Sequence, residues 1–171
     1  DITQRAAAQG TPVHIDAVQV AGKLPINFHE LGATTLAASA HKFGGPRGIG
    51  LLLARRTPAP LPLAFGGGQE RGIRPGTVDV ASASALAAAL RESVADMEQE
   101  ETRLTALRDK LKAGIESSID NVIINSAEPT LASHLHVSFP GTDGDSLIML
   151  LDAAGIEASA GSACHAGVNR M

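Results

Sequence analysis

Ser39-Ala40-His41-Lys42-Phe43-Gly44-Gly45-Pro46-Arg47-Gly48, followed directly by the apolar run Ile49-Gly50-Leu51-Leu52-Leu53-Ala54, is the stretch on which the fold turns. The run predicts a strand over residues 48–54, and its continuity is typical of a strand covered on both faces. Thr34 to Ala40 predicts another strand, so the basic, glycine-rich decamer lies at the end of one strand and before the next. Open α/β sheets place their ligands at such strand ends. Lys42, between His41 and a Gly-Gly-Pro turn, is held on backbone that can approach a ligand closely. Desolvation there would lower its pKa and suit it to Schiff-base chemistry. Ser39 and His41 offer short donors that could hold a phosphate. Taken by themselves, these residues are read equally well as an ordinary loop with an exposed lysine.

Toward the N-terminus, residues 5–10 predict a helix tail closing on Gly10. Val13 to Ala17 alternates as a short strand with an acid near its C-terminal end. That acid, Asp16, forms a second constellation with Gln19. A carboxylate at the end of an apolar strand is costly to bury without a cationic or hydrogen-bonding partner. A protonated pyridine nitrogen would be such a partner, although Asp16 alone reads as a loop cap.

Toward the C-terminus, Pro58, Pro60, Pro62 and Gly66-Gly67-Gly68 leave residues 57–77 without room for regular structure. Leu86, Leu90, Val94 and Met97, then Leu104, Leu107, Leu111 and Ile115, fall at helical spacing and predict one long helix, or two with a bend. The polar stretch Asp96 to Arg103 reads as a solvated face. Asn121 to Asn125 and His134 to Phe139 predict strands, and Asp143 and Asp145 start a helix that ends at Gly155. Ile156 to Ala160 predicts a last strand feeding the loop Gly161-Ser162-Ala163-Cys164-His165-Ala166-Gly167. The order suggests an α/β layer over residues 1–95 and a smaller α+β layer over residues 96–171.

Composition bounds the rest. The 171 residues include four aromatics, all Phe, against 29 Ala and 18 Gly, so the core must come from Leu, Ile, Val and Ala in many small contacts. Hydrophobic residues make up 44% and the net charge is −4, which excludes both a disordered chain and a basic nucleic-acid-binding surface. One cysteine rules out an internal disulfide framework and an all-cysteine metal site. No apolar run is long enough to span a membrane. The opening residues carry no secretory signal, so a cytoplasmic setting is expected. Both ends read as cut from a longer chain.

Cys164 sits among Gly, Ser and Ala, where nothing nearby would bury it. Small neighbours allow such a loop to swing and an exposed thiolate to act as a nucleophile; the alternative is an incidental thiol. Residues 66–77 could cradle an anion with backbone amides and two arginines, but without a phosphate-loop lysine or dinucleotide spacing they do not indicate a nucleotide. His134 and His136 share one strand face, and two ligands without a third do not make a metal site. No metal is expected.

Four motifs then fall in order: His14-Ile15-Asp16-Ala17-Val18-Gln19; Ser39-Ala40-His41-Lys42 with Gly44 to Gly48; Gly66-Gly67-Gly68-Gln69-Glu70-Arg71-Gly72 with Arg74-Pro75-Gly76-Thr77; and Ser159-Ala160-Gly161-Ser162-Ala163-Cys164. The series resembles the cysteine desulfurases of the NifS/IscS type, within the class-V aminotransferases of the fold-type I, aspartate aminotransferase-like pyridoxal phosphate enzymes. The resemblance runs over essentially the whole chain. It implies an α/β fold made of part of the large sheet domain plus an α+β small domain, and pyridoxal 5'-phosphate as cofactor. Lys42 would carry the cofactor as a Schiff base and later move the proton. Asp16 would hold the pyridinium nitrogen, Gln19 the ring hydroxyl, and Ser39 and His41 the phosphate. Thr77 would reach the cofactor phosphate of a neighbouring subunit, which implies a homodimer.

Cys164 would take the sulfur of L-cysteine as a persulfide, leave alanine, and pass the sulfur to an iron-sulfur scaffold or another acceptor protein. The family's glycine/threonine phosphate loop, ring-stacking histidine, asparagine near the ring hydroxyl and carboxylate-binding arginine are not matched within these residues. An isolated 171-residue segment is therefore expected to bind the cofactor poorly. A selenocysteine lyase would keep the same cofactor residues, and a sulfur carrier or inactive fragment would keep the thiol without the cofactor chemistry.

Overall fold

The computed structural model describes residues 2–161. Helix α1 (Ile2–Ala8) ends where Gly10 turns left-handed and its N–H reaches Ala7 O at 3.0 Å, while Thr11 N–H reaches Ala6 O at 2.9 Å. These two bonds satisfy the last helical carbonyls. Strand β1 (His14–Asp16) runs parallel to β2 (Thr35–Ser39), joined by a turn and the short helix α2 (Phe28–Leu31). The chain then passes through a 3₁₀ turn, Ala40–Phe43, and returns as β3 (Gly50–Ala54), antiparallel to β2. The sheet order is β1-β2-β3.

Alternation along β2 sets the two faces of this sheet. Leu36 and Ala38 are buried, while Thr35, Ala37 and Ser39 face the other way and are half-buried. Helix α3 (Val80–Ala95) covers the first face, its Leu86 packing with Ala21, Ala38, Ala40 and Phe43. Among the described residues, five of the eight buried hydrophobics are alanines and Phe43 is the one aromatic among them, so close backbone approach replaces bulk at this core.

Expectation and structure differ in two places. Leu52 and Leu53 are 48% and 40% exposed on opposite sides of β3. The continuous apolar run predicts a strand covered on both faces; among the described residues it is instead an antiparallel strand paired on one side, with Leu52 and Leu53 left open. The predicted strand Ile156–Ala160 does not form. Gly155 turns left-handed, its N–H bonds Asp152 O at 2.9 Å and Ile156 N–H bonds Leu151 O at 2.8 Å. This closure of the preceding helix consumes the amide that would begin a ladder.

The helical stretch divides at Asp96 into α3 and α4 (Met97–Ser118). Two-residue strands β4 (Ile123–Ile124) and β5 (Val137–Ser138) pair antiparallel, and α5 (Gly144–Ala153) follows with Asp143 as its cap. The chain resolves into two compact units, one of residues 1–106 with 131–133, the other of 107–130 with residues from 134 onward. Among the described residues, no helix is long and apolar enough to cross a membrane.

Candidate active site

Parallel pairing brings two strand ends to the same edge. Asp16 ends β1, in register with Ala37, and Ser39 ends β2 two residues further on. Registered partners and residues two apart share a face. Asp16, Ala37 and Ser39 therefore line one side of the sheet, opposite the face that α3 covers.

Each of these groups is held locally. Oδ1 of Asp16 accepts the N–H of Val18 at 2.9 Å, which fixes the carboxyl in its own turn and leaves Oδ2 for a ligand. The structure thus gives Asp16 the loop-cap role as well as a free acceptor. It also leaves Asp16 exposed among the described residues, so the cost of burying an acid is not what places it there. Gln19 is exposed in the turn that follows, where Val20 and Ala21 N–H groups both return to Ala17 O.

Beyond β2, Ser39 Oγ and His41 Nδ1 lie 2.8 Å apart, a hydroxyl–imidazole pair at the start of the 3₁₀ turn. Lys42 stands next, half-buried, between the exposed His41 and the buried Phe43. The turn closes on Gly44, left-handed at φ +84°, with Gly45 N–H donating to Ala40 O at 2.9 Å. A Cβ on Gly45 would stand 2.9 Å from Ala40 Cβ and 3.0 Å from Ala40 O. The glycine therefore lets the connection double back against its own start. Ala40 N–H donates to Ile49 O at 3.1 Å and shuts the head of the β2–β3 hairpin.

The donor set fits pyridoxal phosphate: an acid with a free oxygen for a ring N–H, a hydroxyl and an imidazole for a phosphate, and an amine for an aldehyde. Asp16 and the Ser39–His41–Lys42 group share one edge, and Gln19 follows Asp16 there. Thr77 is exposed on the irregular segment before α3 and makes no hydrogen bond to this group among the described residues. That segment ends at Asp79, whose carboxylate accepts Ser82 Oγ–H at 2.6 Å and Ser82 N–H at 3.0 Å. Those bonds hold its pKa below the ordinary value. Cys164 lies outside the described residues. Among the described residues, no group of three His, Cys, Asp or Glu side chains could hold a metal.

Two features of this edge are absent from the motif spacing. His14 Nδ1 lies 2.8 Å from Thr35 Oγ1 on the open face. Ser93 Oγ–H donates to Gly22 O at 2.8 Å, tying α3 to the turn that carries Gln19. The available signals were a polar alternation in β1 and a lone serine on an alanine-rich helix.

The family model described as aminotransferase class-V matches residues 1–171. A Mycobacterium tuberculosis protein named IscS-like cysteine desulfurase is 50% identical over 161 residues, covering 93% of this chain and 41% of that protein. Cysteine desulfurase NifS of Azotobacter vinelandii is 37% identical over 168 residues, covering 98% and 42%. The X-ray structure of a NifS-like protein from Rickettsia africae superposes with a TM-score of 0.86 at 27% identity, covering 94% of this chain and 45% of that one. The chain spans about two fifths of the length of the curated relatives it matches.

Proposed function

The chain belongs to the class-V aminotransferase family, and from that premise we propose that the protein carrying it is a pyridoxal-phosphate-dependent cysteine desulfurase. One observation carries the reading: parallel β1 and β2 deliver Asp16 and the Ser39–His41–Lys42 group to one edge of the sheet. Naming of relatives as cysteine desulfurases supports the substrate.

When bound, pyridoxal phosphate supplies an electron sink for the bond broken at the substrate. Asp16, through the oxygen not used by Val18, holds the proton on the ring nitrogen. Gln19 donates to the ring hydroxyl, and Ser39 and His41 hold the phosphate. Lys42 carries the cofactor covalently and then moves the substrate proton. Cys164 attacks the sulfur of L-cysteine as a thiolate. The S–S bond of a persulfide forms as the carbon–sulfur bond breaks, and protonation of that carbon leaves alanine. The persulfide sulfur passes to an iron-sulfur scaffold or another acceptor protein. Thr77 serves the cofactor phosphate of a second subunit in a homodimer, and the setting is a reducing cytoplasm in which a thiol such as Cys164 stays out of disulfides.

The test uses the intact protein with pyridoxal phosphate and L-cysteine. Lys42→Ala should lower alanine production by about 1,000-fold or more. Cys164→Ser should keep the visible cofactor absorbance and form no persulfide. Alanine production surviving Lys42→Ala overturns the proposal, as does persulfide loading from a donor that proceeds without the lysine. Selenide release from selenocysteine outrunning sulfide release from cysteine would assign a selenocysteine lyase instead.

A further inference from the structure

Strand β1 is three residues long and, among the described residues, pairs with β2 alone. Flanking its three-position ladder with β2, Thr34 N–H and Thr35 N–H reach Val13 O at 2.8 and 3.2 Å, and Ala17 N–H reaches Ala37 O at 2.8 Å. A slip of one residue on so short a strand would carry Asp16 to the opposite face.

Two threonine hydroxyls oppose that slip at the start of the pair. Thr34 Oγ1 accepts Val13 N–H at 3.1 Å, and Thr35 Oγ1 pairs with His14 Nδ1 at 2.8 Å across a registered position. Asp16 itself is tied by Oδ1 to its own chain at Val18, not to β2. Its position relative to Ser39 and Lys42 therefore rests on strand register. On the open face, the next side chain along β1 from Asp16 is His14, roughly 6.6 Å away at the rise of an extended chain. A hydroxyl–imidazole bond is directional, so it selects one register where an apolar pair would tolerate several.

We propose that His14 and Thr35 form a cross-strand latch that fixes the register of β1 on β2 and thereby sets where Asp16 stands relative to Lys42. Both are positioning residues that act through Asp16, and the cofactor part of the proposal rests on the function proposed above.

The test compares the intact protein with Thr35→Val, Thr35→Ser, His14→Phe and the double variant Thr35→Val/His14→Phe. Valine keeps the branched shape and removes only the hydroxyl; serine restores it. Amide exchange at Ala17, measured without cofactor, should rise about tenfold in Thr35→Val and in His14→Phe, the scale of one net hydrogen bond. It should return within about twofold in Thr35→Ser, while the amides of α3 stay unchanged. The dissociation constant for pyridoxal phosphate, read by absorbance titration, should follow the same pattern. The double variant should be no worse than either single one, because both remove the same bond.

Unchanged exchange at Ala17, no rescue by serine, additive effects in the double variant, or unchanged cofactor affinity each overturns the latch. If the parent protein takes up no pyridoxal phosphate, the function proposed above fails, and exchange at Ala17 then decides whether the register latch exists.

Discussion

Among the described residues, all eight buried hydrophobic side chains fall between Ala17 and Leu86. After residue 107 no described apolar side chain is fully buried, and several are exposed: Leu111 is 57% exposed on α4, and Met149 and Leu150 are 74% and 70% exposed on α5. The two regions have similar apolar alphabets. They differ in what fixes them. Around Lys42 the backbone is wedged by alanines and by α3. From β4 to α5 the structure rests on local bonds: a two-residue ladder, an aspartate cap, and the closure at Gly155. A group that must hold a cofactor to within a fraction of an ångström belongs on the first kind of scaffold.

The largest effect separating them is core truncation. Leu86→Ala removes a side chain that is 8% exposed and packs on Ala38, Ala40 and Phe43, and should lower stability by about 2–5 kcal/mol. Leu111→Ala, at the same residue type and 57% exposed, should change it by about 0.5 kcal/mol or less. Denaturant midpoints of the two variants check this. Equal losses would mean that the contrast in burial does not hold in solution.

Glycine substitution sharpens the comparison, with the sign itself at stake. Gly45→Ala puts a Cβ 2.9 Å from Ala40 Cβ and 3.0 Å from its carbonyl, so the backbone beside Lys42 must shift, at about 1–3 kcal/mol. Gly144 opens α5 with nothing nearer than Ala160 Cβ at 4.0 Å. Gly144→Ala should therefore stabilise, by about 0.4–1 kcal/mol, through the entropy of the unfolded chain. Melting curves of the two variants should move in opposite directions. A shift of the same sign in both would show that the turn at Lys42 is not as tightly wedged as its contacts indicate.

How much of this was legible before the structure follows the same division. Strands β1 to β3 were readable because alternation and apolar runs report burial, and α5 was bracketed by Asp143 and Gly155. Helix α2 is too short to show a period, yet Asn27 accepting from His29 and Glu30 N–H and the left-handed Gly32 were there to be read as start and stop. Ile156–Ala160 looked like a strand because sequence shows side chains and not which partner takes an amide. At the site, Lys42, His41, Ser39 and Asp16 were legible as motifs. Their meeting was not, because it depends on a parallel register that Thr34 and Thr35 help to set, and threonines in strands are ordinary.

The smallest effect concerns acid. Asp79 caps α3 and Asp143 caps α5, and each has its pKa lowered, first by the side-chain bond to Ser82 or Ser146 and then by that serine's backbone N–H. A carboxylate depressed in the folded state contributes stability that is complete above its ordinary value of 3.8 and is lost as pH falls through the lowered one. Both helices lose the same kind of cap over the same range. Only α3 retains a buried anchor, Leu86, whereas α5 has none. Below pH 3.8, amide exchange should therefore rise in the first turn of α5 before it rises in α3. Asp143→Ala should bring that early exchange to neutral pH, and Asp79→Ala should have the weaker effect on its own helix. Simultaneous loss, or loss in α3 first, would mean that burial around Leu86 does not protect the helix start, and the comparison between the two regions would fail at its weakest joint.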